Sequence, residues 1–189
     1  MMKTCTARMV TVAALACLIV AFLSGCASTG NWRGTFDTEL AAFGHRNWIV
    51  ITDSAYPKQS AGGIKTIVTG EGQLQVLDYV LKEIEKSPHV QANILLDAEL
   101  DSVSEEDAPG VSAYRAKLNE LLEGKQVERM VHEDIISRLD KGAETFNILL
   151  LKTGMTIPYT SVFLELDCGY WNAEKEQRLR KAFEKTESK

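Results

Sequence analysis

The chemistry-bearing residues of this chain cluster in one stretch, Gly44-His45-Arg46-Asn47-Trp48-Ile49-Val50-Ile51-Thr52-Asp53-Ser54-Ala55-Tyr56-Pro57. His45 sits just before an apolar run and Asp53 just after it. An imidazole with an unperturbed pKa of about 6.5 gives or takes a proton near neutrality. A carboxylate can orient that imidazole, share the proton transfer, or hold hydroxyl groups through charge-assisted hydrogen bonds. Ligand sites of open α/β sheets lie at the carboxyl ends of strands, and Asp53 occupies such an end, with Pro57 shaping the loop beyond. A turn or helix-cap aspartate explains the same residue equally well.

Other chemistries find no support in the spacing. Gly70-Glu71-Gly72 lies between a strand and a helix candidate, but position 75 is Gln and no Gly-Lys-Ser/Thr follows, so a plain turn is expected. Gly110-Val111-Ser112-Ala113 ends in Tyr114 and fails as a nucleophile elbow. His45, His89 and His132 lie 43 or more residues apart, without metal-ligand spacing. A net charge of −5 and a pI near 5.3 argue against nucleic acid as a partner, since phosphate binding needs a basic face.

The elements that must position these residues follow from periodicity. Asp37 to Phe43 is a short helix candidate stopped by Gly44. Residues 48–52, 64–69, 92–96 and 147–152 read as strands, 127–131 as a weak strand, and 161–166 as an extra one. Leu74, Leu77, Val80, Leu81 and Ile84 mark an amphipathic helix that Pro88 closes. A second helix is expected over 112–122, and a charged one over 173–185. Strands alternating with helices predict an α/β domain of three layers, α/β/α, around a mixed or mostly parallel central sheet.

The N-terminus adds a processing signal. Lys3 and Arg8 precede an uncharged run from Met9 to Leu23, the layout of a secretory signal peptide. The run ends in Leu23-Ser24-Gly25-Cys26, which looks like a bacterial lipobox with Cys26 as the acylated residue. Cleavage before Cys26 removes 25 of 189 residues and leaves 164. Lys3 and Arg8 go with them, so 19 basic against 26 acidic side chains give a formal charge of −7. Cys5 and Cys17 are lost and Cys26 is consumed by lipid, leaving Cys168 as the thiol and no intrachain disulfide. The expected organisation is a signal peptide over 1–25, a tether over 26–36, a domain over 37–157 and an extension over 158–189. Lipid chains contribute about 0.8 kcal/mol per buried CH₂, so an acylated Cys26 holds the protein to a membrane. The expected place is the bacterial envelope, with the periplasmic face of the outer membrane favoured because Ala27 and Ser28 carry no acidic retention signal.

The sequence resembles the ribose pyranase and fucose mutarotase family of sugar-anomer interconverting proteins. His45, Asn47, Asp53 and Pro57 match its opening Gly-His-x-Asp/Asn, hydrophobic strand and Asp-x-x-x-Pro. The similarity continues through Leu74 to Leu77, Val90 to Glu99 and Val131-His132-Glu133. It closes on the run from Asn147 to Thr156, similar to the family's terminal Tyr-x-Asn-hydrophobic-Gly-Val pattern. Thr145 replaces that tyrosine, the segment between His132 and Asn147 is shortened, and about thirty residues follow the usual end. Ser161 to Leu166 is expected to take the place of a strand lost from the shortened segment.

The resemblance implies a pyranase/mutarotase-like fold, a monosaccharide ligand and a homo-oligomer, since family members form rings with sites between subunits. Pyranose interconversion needs a base for the anomeric hydroxyl and an acid for the ring oxygen, with the roles reversed on closure. His45, Asp53 and His132 are the catalytic candidates, and Asn147 and Asn47 the sugar ligands. No cofactor is required. The alternative is a non-catalytic sugar-binding or envelope-assembly lipoprotein that keeps the fold.

Overall fold

The computed structural model describes residues 31–187. The expected signal peptide, the expected lipobox and Cys26 lie outside the described residues. Helix α1 spans Trp32–Ala42, with Asn31 as its cap: the Asn31 side chain accepts the Gly34 N–H at 3.0 Å. Trp32, Phe36 and Leu40 recur every four residues and form one buried stripe. The expected helix over 37–43 therefore begins five residues earlier, and residues 32–36, expected as tether, are helical with Trp32 and Phe36 buried.

The chain continues through β1 (Trp48–Thr52), β2 (Ile64–Val68), α2 (Gln73–Lys86), β3 (Val90–Asp97) and a 3-10 turn (Ala98–Ser102). It then forms α3 (Val111–Leu121), β4 (Val127–Met130), α4 (His132–Ala143), β5 (Ile148–Lys152), β6 (Val162–Cys168) and α5 (Ala173–Glu187). Six strands form one mixed sheet in the order β2-β5-β1-β6-β3-β4. Strands β1, β2 and β5 are mutually parallel, as are β3 and β4. Strand β6 runs antiparallel to both neighbours, Ile51 facing Val162 on one side and Leu96 facing Val162 on the other. The segment from 161 thus lies inside the sheet, joining its two parallel halves.

Buried strands read as continuous apolar runs because both sheet faces are covered. Ile49, Ile51, Leu149, Leu151, Val162 and Leu164 pack against α1, α2 and α3. Trp48, Val50, Ile148, Leu150 and Phe163 pack on the other face against Ile135 and Leu139 of α4. A Cβ at Gly142 would stand 3.0 Å from the Trp48 indole nitrogen, so glycine lets α4 lie close on β1. The layers are those expected, and α4 adds a helix in a stretch where none is expected from the sequence. Its apolar face is Ile135, Ile136, Leu139 and Ala143, with Ile135 and Leu139 fully buried.

Because β6 opposes both β1 and β3, the carboxyl ends of the five other strands share one end of the sheet. Asp53, Asp97 and His132 sit there, beside the loop that enters β6.

Candidate functional site

The site is built from the last residue of β3 and the first of α4. Asp97 closes the run Ile94-Leu95-Leu96-Asp97 and is fully buried. The turn after it turns Glu99 back, so that both Glu99 carboxylate oxygens accept the His132 backbone N–H, at 3.0 and 3.1 Å. A carboxylate on the free N–H of a helix start is favoured both by hydrogen bonding and by the helix dipole. With its backbone fixed, His132 brings Nδ1 to 3.1 Å from Asp97 Oδ1. An ionised Asp97 accepts the Nδ1 proton, which leaves Nε2 as the basic nitrogen of a half-buried ring.

Asp97 Oδ2 is buried and has no protein partner. Burial pushes the Asp97 carboxyl up to about 6; the hydrogen bond from His132 opposes the rise, and the nearby Glu99 and Asp53 add to it. The Asp97 carboxyl therefore changes protonation near pH 6.

Asp53 enters from the end of β1. Its Oδ1 accepts the N–H groups of Ala55 at 2.7 Å and Tyr56 at 3.0 Å, a tight aspartate turn. Lys152 at the end of β5 donates to the Tyr56 carbonyl at 2.7 Å and fastens the loop. The Tyr56 ring is buried while its hydroxyl has no partner, and burial, ahead of Asp140, Asp97 and Asp53, pushes that phenol up to about 12. The Gln59 carbonyl oxygen and the Thr52 hydroxyl are likewise buried without partners. Buried polar groups are normally satisfied, so this concentration beside one cleft calls for polar atoms from a ligand or water.

The third wall is the loop from Thr153 to Ser161. Gln73, buried in the first turn of α2, donates to the Thr160 carbonyl, and the Tyr114 hydroxyl donates to the same oxygen at 3.1 Å. Thr153 Oγ1 donates to the Thr52 carbonyl at 2.8 Å. Held between these anchors, Tyr159 sets its ring edge-on to His132, 5.7 Å between centroids.

Together these parts enclose an open cleft of about 640 Å³, lined among others by Asp53, Tyr56, Asp97, His132, Ile136 and Tyr159. That volume is within the range of small-molecule sites. A groove of about 520 Å³ between α2 and the start of β3 has neither a histidine nor a buried carboxylate on its walls. Among the described residues no group of three or more His, Cys, Asp or Glu side chains could hold a metal ion. The arrangement can support proton transfer by an imidazole with a fixed carboxylate partner, beside a second carboxylate suited to hydroxyl groups.

The structure brings Asp53 and His132 together and leaves the other predicted residues elsewhere. His45 is exposed in the turn before β1. Asn47 accepts the Gly44 N–H at 2.8 Å and donates to the Asn147 carbonyl at 3.2 Å, so it organises that turn. Asn147 is exposed ahead of β5. These three residues share the amino end of the strands, one five-residue strand, or about 16 Å, from the cleft. His89 contacts the Leu40 carbonyl at 3.2 Å and joins a loop to α1, and Cys168 is a half-buried thiol at the end of β6. Sequence reading passes over Asp97, Glu99, Tyr56 and Tyr159. Asp97 carries a usable signal, an aspartate ending an apolar run as Asp53 does; the others carry none.

The profile of the RbsD / FucU transport protein family matches residues 36–168. Among solved structures, Bacillus subtilis RbsD complexed with D-ribose shares the fold, at 19% identity over 70% of this chain and 91% of that chain, with a TM-score of 0.50. The fucose mutarotase from Streptococcus pneumoniae in complex with L-fucose is 22% identical over 69% of this chain and 89% of its own, with a TM-score of 0.48. FucU from Bifidobacterium longum is 16% identical over 71% and 94%, with a TM-score of 0.46. No curated protein sequence matches the chain.

Proposed function

The chain belongs to the RbsD / FucU transport protein family, and from that premise we propose that it binds a monosaccharide in the cleft and interconverts the sugar's anomers or ring forms. The observation that carries this reading is the His132–Asp97 pair, 3.1 Å apart, opening onto a cleft whose walls hold buried polar atoms without partners. That a related fold has been solved with D-ribose supports the choice of ligand.

In this reading His132 Nε2 takes the proton of the anomeric hydroxyl. The new carbonyl forms as the bond from the anomeric carbon to the ring oxygen breaks, and that oxygen receives a proton from an acid. Rotation about the single bond between the carbonyl carbon and its neighbour presents the opposite carbonyl face to the hydroxyl, and reclosure with the proton transfers reversed gives the other anomer. Asp97 holds the imidazole in the tautomer that leaves Nε2 free, and Asp53 accepts hydrogen bonds from sugar hydroxyls or shares in the transfer. His45 is the complementary acid and Asn47 and Asn147 are the sugar ligands, contributed by a neighbouring copy in a homo-oligomer. The separation of the two groups within one chain, together with the intersubunit sites that the resemblance implies, supports that division. An acylated Cys26 tethers the assembly to the envelope, on the periplasmic face of the outer membrane.

The second reading is a sugar-binding or envelope-assembly lipoprotein without turnover. Thr145 in place of the family's tyrosine and the single imidazole at each chain's cleft favour it. Subunit mixing separates the two. His45→Ala and His132→Ala proteins, each inactive, should regain part of the anomer exchange when unfolded and refolded together. Sugar binding with no exchange by the native protein selects the second reading.

A further inference from the structure

Tyr159 has φ 58°, in the left-handed region that bulky side chains avoid. Its neighbours explain how that conformation is enforced. Thr160 and Ser161 are buried, the Thr160 carbonyl is held by Gln73 and Tyr114, and Thr160 Oγ1 donates to the Ile157 carbonyl at 2.8 Å. Core packing does not explain it, because Tyr159 is 39% exposed. A large ring kept in a costly backbone state outside the core is there for what the ring touches. It meets His132 edge-on, and its remaining surface faces the cleft beside Ile136, Ile157 and Pro158.

Resting on the monosaccharide reading above, we propose that Tyr159 is a specificity-determining wall of the cleft, presenting its ring to the C–H face of the sugar while setting the orientation of His132. Sugars carry one surface of C–H groups and another of hydroxyls. The cleft matches that division, with Tyr159, Ile136 and Ile157 as apolar groups and Asp53 and Asp97 as hydroxyl acceptors. Aromatic rings supply flat apolar contact of this kind, and the phenolic hydroxyl is not needed for it.

The test compares Tyr159→Gly and Tyr159→Phe with the native protein in the full chain. Three readouts are taken: melting temperature, affinity for D-ribose and L-fucose, and the His132 ring-proton resonance. Glycine tolerates the backbone conformation, so Tyr159→Gly should melt at or above the native temperature. The same variant should lose about tenfold or more in affinity and shift the His132 resonance as the ring current disappears. Tyr159→Phe should keep affinity within about threefold and keep the resonance near its native position. A Tyr159→Gly protein that melts several degrees lower, or that binds as the native protein does, overturns the assignment. A native protein that binds neither sugar overturns the monosaccharide reading and the wall's ligand with it. Native binding that the glycine variant leaves intact overturns the Tyr159 assignment alone.

Discussion

Asp97 determines how the site responds to pH. Its carboxyl is raised from 3.8 to about 6, chiefly by burial, so between those values the folded protein holds a proton that the unfolded chain has released. The stability this proton confers is present at low pH and is lost as pH rises from 3.8 through about 6. An asparagine side chain in its place cannot ionise. The stability of Asp97→Asn relative to the native protein should therefore improve between pH 5 and pH 8, on the order of 1–2 kcal/mol, measured by urea unfolding at both values. Activity should run the other way. Exchange should rise with pH through an apparent pKa near 6, as ionised Asp97 takes the hydrogen bond from Nδ1–H and leaves His132 Nε2 free, and the variant should lose that limb along with most of its rate. Asp53 is legible in the sequence because an apolar run stops on it. Asp97 ends a run of the same kind, so reading strand ends systematically finds it too. Tyr159 is not legible, since its importance lies in a φ value and in a neighbour 27 positions away.

At the scale of elements, the strands are readable because sheet faces covered on both sides demand apolar runs such as Trp48–Thr52 and Ile148–Lys152. The register is not readable. Strand β6 comes last in the sequence yet sits between β1 and β3, and no local pattern states which edges a strand joins. Helix α4 is legible as well, because Ile135, Ile136, Leu139 and Ala143 keep a helical period between charged residues, though the expected elements leave it out. The early start of helix α1 is legible too, since Trp32 and Phe36 continue the four-residue spacing of Leu40 back beyond the expected start at Asp37. The loop carrying Tyr159 depends on Gln73, an element-level link between α2 and the entry to β6. Gln73→Ala leaves the Thr160 carbonyl with one donor and opens a buried gap, so it should cost about 2–3 kcal/mol in denaturant unfolding. It should also weaken sugar binding. Alanine at exposed Gln75, which only caps the start of α2, should cost less than about 1 kcal/mol and leave binding unchanged.

For the whole molecule, six strands and four packed helices form the family's fold, and α5 adds no buried residue to it among the described side chains. Deleting residues 173–189 should therefore move the melting temperature by no more than about 2 °C; a larger loss would show that α5 completes the core. The proposed envelope location rests on Lys3, Arg8, the apolar run and Cys26, so it is tested in the producing cell: labelled palmitate should enter the native protein and not Cys26→Ser. The proposed function depends on turnover at the His132–Asp97 cleft. Magnetisation-exchange NMR on D-ribose and L-fucose measures it directly. The native protein should exchange the anomers of at least one of these sugars faster than buffer, with His132→Ala returning the rate to the buffer value. Native protein that exchanges neither sugar above buffer, or a His132→Ala variant as fast as native, would contradict that function.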